Sequence, residues 1–166
     1  MASTYTPIAT TTLGSAQLSY TFNSIPATYT DLVIIGYIAG VSTATGAGIQ
    51  FNSDTSTNYS MTNLGGDGTS ATSVRQTSAT YIRFAYTGAF RTTNTGIFKI
   101  NVMNYSNTTI YKTTISRTDI TTDGTEAEAG LWRNTNAITS MTILPTNGSY
   151  TFSTGSTFTL YGIKAA

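Results

Sequence analysis

The sequence predicts an all-β protein, an antiparallel β-sandwich of jelly-roll type with about 8–12 short strands and little or no helix. Three observations predict this class. β-branched and aromatic residues alternate with polar residues at a period of two along most of the chain. Glycine, asparagine, aspartate and serine interrupt that alternation at short intervals. No segment shows the apolar spacing of an amphipathic helix bounded by capping residues.

The alternation places the strands in order along the chain. They are predicted at residues 4–12, 16–22, 31–39, 47–52, 72–76, 80–87, 96–105, 109–117, 127–133, 138–144, 149–153 and 157–164. Two of them show a clear apolar face of three even-numbered residues: Phe98, Ile100 and Val102 in one, and Ile82, Phe84 and Tyr86 in the other. Turns are predicted between the strands at Ile25-Pro26, 65–68, Asp123-Gly124, Asn147-Gly148 and Gly155-Ser156.

The last predicted strand, in FTLYGIKAA at 158–166, is apolar on both faces. Phe158 and Leu160 point one way, and Tyr161 and Ile163 point the other way. A strand of this kind is expected to be covered on both sides, by its own core and by something else. Gly162 is expected to allow a bend or bulge that redirects Ile163.

The length of 166 residues predicts one domain spanning residues 1–166. Residues 1–12 are expected to form an N-terminal arm or edge strand with contacts outside the domain. The N-terminus has no basic and apolar stretch typical of a secretion signal. The longest apolar run, 32–41, is about half the length that spans a bilayer, so no membrane partner is expected.

Composition excludes several functions. The chain has neither histidine nor cysteine, which removes Ser-His-Asp triads, imidazole or thiolate metal sites and disulfides. Charged residues make up 9% of the chain, against roughly a quarter in ordinary domains, and the net charge is +1. The basic residues are scattered singly, so no nucleic-acid partner is expected. A neutral surface rich in threonine and serine suits a protein that works inside an assembly.

The best pair of candidate catalytic carboxylates is Glu126 and Glu128. They lie two residues apart on a predicted strand, so both side chains project to one face about 6–7 Å apart, a separation found in glycosidases. The alternative, which we favour, is that they form the polar face of a strand that follows a turn. The sequence therefore predicts no enzyme.

Two turn segments contain oxygen ligands that Ca²⁺ prefers, namely 65–68 and 122–128. Neither segment has the alternating spacing and terminal glutamate of a calcium loop, so both are interpreted as plain turns. Residues 46–48 (GAG) are not followed by a predicted helix and form no nucleotide motif. No metal and no cofactor are expected.

Aromatic residues in or beside turn-rich stretches are candidates for stacking on sugar rings or for packing in a protein interface, although core packing would also explain each of them. They include Tyr5, Tyr59, Tyr105, Tyr111, Trp132 and Tyr150. The residues chosen as interface candidates are Tyr5, Tyr59, Trp132, Tyr161 and Ile163.

Four stretches, in order along the chain, resemble small virion proteins of tailed bacteriophages. They are FNSIPATYTDLVI at 22–34, IQFNSDTSTNYS at 49–60, INVMNYSNTTIYKTTISR at 100–117 and STFTLYGIKAA at 156–166. The resemblance is weakest over 62–95. In this family the segment with Pro26, Tyr29 and Asp31 is a turn into a core strand, and Phe51-Asn52 and Asn58-Tyr59 belong to the next strand and loop.

The resemblance implies a jelly-roll sandwich on the phage particle and no active site. The first expectation is a capsid cement or decoration protein that stabilises the assembled head, and the alternative is a tail-fibre or tail-associated module that binds a receptor or carbohydrate. The implied partners are the major capsid protein or other virion proteins. A homo-oligomer is expected, with a trimer as first choice. The implied location is the outer surface of the virion, after synthesis in the host cytoplasm.

Overall fold

The computed structural model describes residues 4–120 and 122–164, without the side chains of 87–89. These residues form twelve strands: β1 Tyr5–Thr12, β2 Tyr20–Phe22, β3 Asp31–Ile38, β4 Thr45–Phe51, β5 Tyr59–Gly66, β6 Ala71–Ala79, β7 Ile82–Phe90, β8 Gly96–Met103, β9 Lys112–Ile120, β10 Gly124–Trp132, β11 Met141–Pro145 and β12 Thr157–Ile163. None of the described residues is helical, and so none belongs to a helix long enough to cross a membrane.

The strands form two antiparallel sheets that pack face to face, as the alternation predicts. The large sheet has eight strands in the order β1-β12-β3-β8-β9-β10-β5-β6, and the small sheet has four in the order β2-β11-β4-β7. The chain crosses between the sheets repeatedly, so strands that are distant in sequence become neighbours. The protein is therefore an antiparallel β-sandwich of jelly-roll type, and the predicted fold class is confirmed.

The core lies between the two sheets and is rich in aromatic side chains. Phe84 of the small sheet contacts Phe98 of the large sheet, with ring centroids 4.5 Å apart. Phe98 is followed along β8 by Ile100 and Val102, which are also buried. Close contact between aromatic rings from both layers removes a large apolar area from water, and this burial is the main stabilising contribution.

Beyond shifts in strand ends, the prediction and the structure differ most at three places. β5 was not predicted, because its segment ends in glycines that indicate a turn, although Gly65 and Gly66 are still paired with β10. Residues 149–153 form no strand, and only isolated bridges from Phe152 are present there. Tyr86 is exposed rather than buried, because the pairing of β7 with β4 shifts register on both sides of Ala85.

One apolar face of the C-terminal strand β12 is covered by the core, and the other lies on the outer face of the large sheet. β12 lies inside the large sheet between β1 and β3, with Phe158 and Leu160 in the core. The bend expected at Gly162 is wrong, because the pairing of β12 with β3 is regular through this residue. A Cβ at Gly162 would lie 2.3–2.5 Å from the ring of Tyr29. The glycine is therefore needed for the close approach of that ring.

Residues of the 22–60 region have the structural roles expected of them. Asp31, at the start of β3, accepts a bond from the backbone N–H of Asn104 (2.7 Å). Phe51 is fully buried. Asn52 donates to the carbonyl of Ala137 (2.8 Å) and accepts from the backbone N–H of Thr139 (2.8 Å). The short polar side chains thus tie separate loops together at one end of the sandwich.

Candidate functional site

The outer face of the large sheet carries an unusual share of the exposed apolar side chains. Among the described residues, eleven large apolar or aromatic side chains are exposed, and seven of them lie on this face: Tyr5, Ile35, Tyr37, Leu64, Ile97, Met103 and Ile115. They occupy the positions that alternate with core residues along each strand. Exposed apolar groups concentrated on one face indicate a surface that contacts other molecules.

Three of the five predicted interface residues come together at the β1–β12 end of this face. We call Tyr5, Tyr161 and Ile163 the terminal patch. Tyr5 is 44% exposed and is the cross-strand partner of Ile163. The rings of Tyr5 and Tyr161 meet edge to face, with centroids 6.0 Å apart and an angle of 71°. Two tyrosines held in this way form a preorganised contact surface.

A lysine from the middle of the sheet extends over the terminal patch. The ammonium of Lys99, on β8, lies 5.8 Å from the ring centroid of Tyr5, on β1. Its Nζ is 3.5 Å from the hydroxyl of Tyr5. Since β12 and β3 separate these strands, the two side chains lie flat across the outer face. Val33, the cross-strand partner of Tyr161, also lies on this outer face. It is nevertheless only 2% exposed, so neighbouring side chains cover it.

The free edge next to the terminal patch is unsuited to pairing with another strand. β1 contains Pro7, which has no backbone N–H, and the pairing with β12 shifts register between Pro7 and Ala9. Proline and a bulge are common devices that protect an edge strand. The face of the sheet at this end is therefore better suited to contacts with another protein than the edge is.

The other two interface candidates, Tyr59 and Trp132, are wrong as surface residues. Both side chains are fully buried and stack on each other, with centroids 6.2 Å apart and an angle of 17°. Their polar atoms point to the loop after β4: Nε1 of Trp132 donates to Oδ2 of Asp54 (2.8 Å), and the hydroxyl of Tyr59 donates to the carbonyl of Asp54 (3.0 Å). Their role is to anchor that loop from inside the core.

Asp54 is held in its ionised form by this arrangement. Burial acts to raise its pKa, but bonds donated by Asn58, Trp132 and Ser56 outweigh that effect and lower the pKa to about 2. A carboxylate that accepts several bonds is stabilised in its charged state. The cluster is thus structural and leaves no carboxyl free for proton transfer near neutral pH.

The two candidate catalytic carboxylates lie side by side, and one of them is buried inside the sandwich. Glu128 is 3% exposed. Nδ2 of Asn63 donates to Oε1 of Glu128 (2.9 Å) and to Oε2 of Glu126 (3.1 Å), and Ser116 donates to Oε2 of Glu128 (2.7 Å). The backbone N–H of Tyr86 donates to Oε2 of Glu126 (2.8 Å). Both residues thus lie on one face of β10, just after the turn at 122–124, as the favoured alternative expected; Glu128 is buried, whereas Glu126 is half-buried and lines a cavity of about 250 Å³.

This environment makes Glu128 a weak acid. Burial, together with the carboxyl of Glu126 beside it, raises the pKa of Glu128 to about 8, against the bonds from Ser116 and Asn63 that lower it. The protonated carboxyl donates to Glu126, as in other pairs of adjacent carboxyls that share one proton. The pair links β10 to β5, β9 and β7 through these bonds.

The two turns considered for Ca²⁺ bind their own backbone and neighbouring side chains. Oδ1 of Asp67 accepts from the N–H groups of Thr69 (2.8 Å) and Ser70 (2.6 Å), which lowers the pKa of Asp67. Asp123 accepts from the amide of Asn94 and lies 3.5 Å from Arg91. Within residues 4–120 and 122–164, no three acidic residues are grouped so that they could hold a metal ion.

A groove crosses the end of the outer face that is opposite the terminal patch. Its volume is about 650 Å³. One row of cross-strand partners runs along it through five adjacent strands: Tyr37, Ile97, Asp119, Thr125 and Gly66. The turns at 66–68 and 122–124 and the start of β8 complete its wall. At the usual spacing between strands, a row across five strands is about 19 Å long.

Sequence reasoning missed this groove. Tyr37 is 41% exposed and Ile97 is 56% exposed, and each lies on a strand that also has an apolar inward face. β3 and β8 both carry apolar residues at odd-numbered and at even-numbered positions, so each strand has two apolar faces. This conclusion was drawn from the sequence only for the C-terminal strand. The partnership with Asp119 could not be predicted without the order of the strands.

Two cations lie side by side in the middle of the outer face. Lys99 and Arg117 are cross-strand partners on β8 and β9. Arg117 also binds Oδ1 of Asp119 through Nη2 (3.1 Å). Like charges directly opposite each other destabilise a sheet pair, and the ion pair with Asp119 offsets part of this repulsion.

Comparison with known proteins identifies no family. No family model matches the sequence, and no curated protein matches it. Among solved structures, the chain is similar to Caenorhabditis elegans galectin LEC-6, with a TM-score of 0.38, 6% identity, and coverage of 94% of this chain and 96% of the galectin. It is also similar to a mutant of alginate lyase Aly36B in complex with alginate tetrasaccharide, with a TM-score of 0.36, 9% identity, and coverage of 94% and 79%. Likeness at this level carries no inference about activity or ligand.

Proposed function

We propose that this protein is a non-enzymatic structural protein of a bacteriophage particle, a capsid cement or decoration protein that stabilises the assembled head. The observation that carries the proposal is the outer face of the large sheet, where seven of the eleven exposed large apolar side chains of the described residues lie. The resemblance of four stretches to virion proteins supports the same function. The burial of Glu128 removes one member of the best candidate catalytic pair from the surface.

The terminal patch is proposed as the docking site for the shell. Tyr5 and Tyr161 provide rigid aromatic contact area, which is typical of the residues that dominate binding energy in interfaces. Lys99 covers the patch, and Lys164 lies nearby with its ammonium 5.8 Å from the ring of Tyr29. The nearby carboxylate of Asp31 already accepts a backbone bond. The partner surface is therefore expected to present apolar and acidic side chains.

A decoration protein stabilises a shell by binding the assembled state and not the dissociated subunits. Docking by one face leaves the rest of the neutral surface toward solvent or toward other copies. Assembly as a trimer at the joints of the shell stays a prediction, which native mass spectrometry of the free protein would test. If the free protein is a monomer at all concentrations, the shell itself must position each copy.

The test is to add purified protein back to particles that lack it. We expect Tyr5→Ala to weaken binding to the particle by about tenfold or more, as loss of a central aromatic contact does in other interfaces. The matched control is Tyr111→Ala, because Tyr111 is exposed in the loop before β9 and lies outside the terminal patch. Wild-type particles should also survive heating that disrupts particles without the protein.

Copy number distinguishes a head protein from a tail protein. Hundreds of copies per particle support the cement function, whereas a few tens would place the protein on the tail. Equal heat stability of particles with and without the protein would refute the stabilising function. Equal binding of Tyr5→Ala and Tyr111→Ala would refute the terminal patch as the docking site.

A further inference from the structure

We infer that the groove at the far end of the outer face binds a neutral oligosaccharide. The groove contains Tyr37, Ile97, Asp119, Thr125 and Gly66 as one cross-strand row, and its volume of about 650 Å³ is within the range of small-molecule sites. Its length of about 19 Å suits an elongated ligand that crosses several strands. This inference does not depend on where the protein lies on a particle.

The apolar end of the groove provides a stacking surface. Tyr37 and Ile97 are adjacent on β3 and β8, and both are exposed. Sugar rings have an apolar face of C–H groups, and an exposed tyrosine ring offers a flat surface of matching size. An extended apolar peptide would also cover these two residues, but the rest of the row is polar. The mixed row therefore favours a ligand with one apolar face and hydroxyl groups at its edge.

The polar end of the groove offers acceptors for hydroxyl groups. Asp119 uses Oδ1 for Arg117 and Thr125, and Asp67 uses Oδ1 for its own turn. No described residue donates to Oδ2 of either carboxylate. Two carboxylate oxygens in one groove can each accept a bond from a sugar hydroxyl, and charge-assisted bonds of this kind are strong.

The same carboxylates select against acidic sugars. Asp67 and Asp119 both line the groove, and Arg117, the cation beside it, already binds Asp119. A uronic acid would bring its carboxylate next to two others, and none of the described residues that line the groove is a cation. Like-charge contact of this kind disfavours the wrong ligand. The ligand class is therefore neutral hexose or N-acetylhexosamine chains.

The backbone at the groove provides a direct spectroscopic test. Four glycines line it, namely Gly66, Gly68, Gly96 and Gly124, and their amide signals fall in a distinct region of the ¹H–¹⁵N spectrum. We expect neutral tetrasaccharides of glucose, galactose, mannose or N-acetylglucosamine to shift these signals, with a dissociation constant on the order of 1 mM or tighter. Oligogalacturonate and alginate fragments of the same length should shift them far less.

Variants distinguish stacking from general contact. Tyr37→Ala should weaken binding about tenfold, whereas Tyr37→Phe, which keeps the ring, should bind about as tightly as the wild type. Tyr111→Ala, a matched loss of an exposed tyrosine at the other end of β8 and β9, should have no effect. Tyr5→Ala should weaken particle binding without changing sugar binding, so failure of either proposal can be recognised separately.

Three results would overturn the inference. One is the absence of shifts at the four glycines with all neutral sugars at about 10 mM. Another is equal binding of Tyr37→Ala and the wild type, with both folded as judged by their spectra. The third is tighter binding of uronic acid chains than of neutral chains. Shifts that are confined to the groove and lost in Tyr37→Ala would support it.

Discussion

Glu128 should make the protein less stable as the pH rises from acid to neutral. Its pKa in the folded protein is about 8, against 4.5 for the free side chain. Below about pH 4.5 the carboxyl is protonated in both the folded and the unfolded protein, so it does not reduce the free energy of unfolding. Between about pH 4.5 and 8 only the unfolded chain releases the proton, and the free energy of unfolding falls with increasing pH.

The size of the effect follows from the pKa difference. A difference of 8 − 4.5, or 3.5 pKa units, at 1.36 kcal/mol per unit corresponds to at most about 5 kcal/mol above pH 8. Glu128→Gln keeps the shape of the side chain and cannot ionise. Its amide can still donate to Glu126 while its oxygen accepts from Asn63. We expect this variant to lose the pH dependence and to be more stable than the wild type at pH 8.

The assay is chemical denaturation at a series of pH values, followed by the fluorescence of Trp132, the single tryptophan. The chain has no histidine or cysteine, so few other groups titrate in this range. Burial lowers the pKa of Lys112, which would make stability rise with pH, the opposite sign. Asp67→Asn is a matched control, because the pKa of Asp67 is lowered and it titrates below this range. A wild-type stability that is constant from about pH 5 to 8, or an equal slope in Glu128→Gln, would refute the reasoning.

Three further changes test the packing. Gly162→Ala should destabilise the protein by about 1–3 kcal/mol, measured by denaturation, because the new Cβ would clash with the ring of Tyr29. Trp132→Phe should cost about 1–3 kcal/mol and raise the pKa of Asp54 toward 3.8, as measured by NMR titration, because the Nε1 bond is lost. Lys112→Met should lower the melting temperature, since the buried ammonium donates to two backbone carbonyls at 2.9 and 3.0 Å. An unchanged melting temperature would show that these carbonyls find other donors.

Alternation predicted the fold class well because it reports which face of a strand is buried. In β8 and β12 the even-numbered residues are apolar and lie in the core, as predicted. The method fails where a strand is irregular, and Tyr86 is exposed because of the shifted pairing of β7. It also failed for β5, whose terminal glycines looked like a turn but pair with β10.

Tyr59 and Trp132 were assigned to the surface because they are amphipathic residues near turn-rich stretches. Their parity was the better guide. Trp132 and Glu128 are both even-numbered residues of β10 and so lie on the same side of the strand. From Glu128 to the end of β10, the even-numbered residues are buried. The polar atom of each ring binds Asp54, so a polar aromatic residue was buried without an unsatisfied group.

The terminal patch was partly predictable, whereas the groove was not. Tyr161 and Ile163 lie on one strand, and their shared face follows from sequence spacing alone. The groove depends on the pairing of five strands that are distant along the chain. Tyr37 and Asp119, for example, are 82 positions apart. Sheet order is a property of the whole fold, so no local pattern encodes it.

The two proposed contacts follow from the same feature of the molecule, which is how few charges it has and where they are used. Asp54, Glu128 and Lys112 are bound to groups inside the fold. The outer face of the large sheet is left mainly with aromatic, aliphatic and hydroxyl groups, so recognition there depends on shape and on a few fixed polar atoms. An edge-to-face aromatic pair at one end suits a protein surface, and a groove with carboxylate acceptors at the other end suits a small polar ligand. Because several residue rows separate the two, one copy can hold the particle and a sugar at the same time.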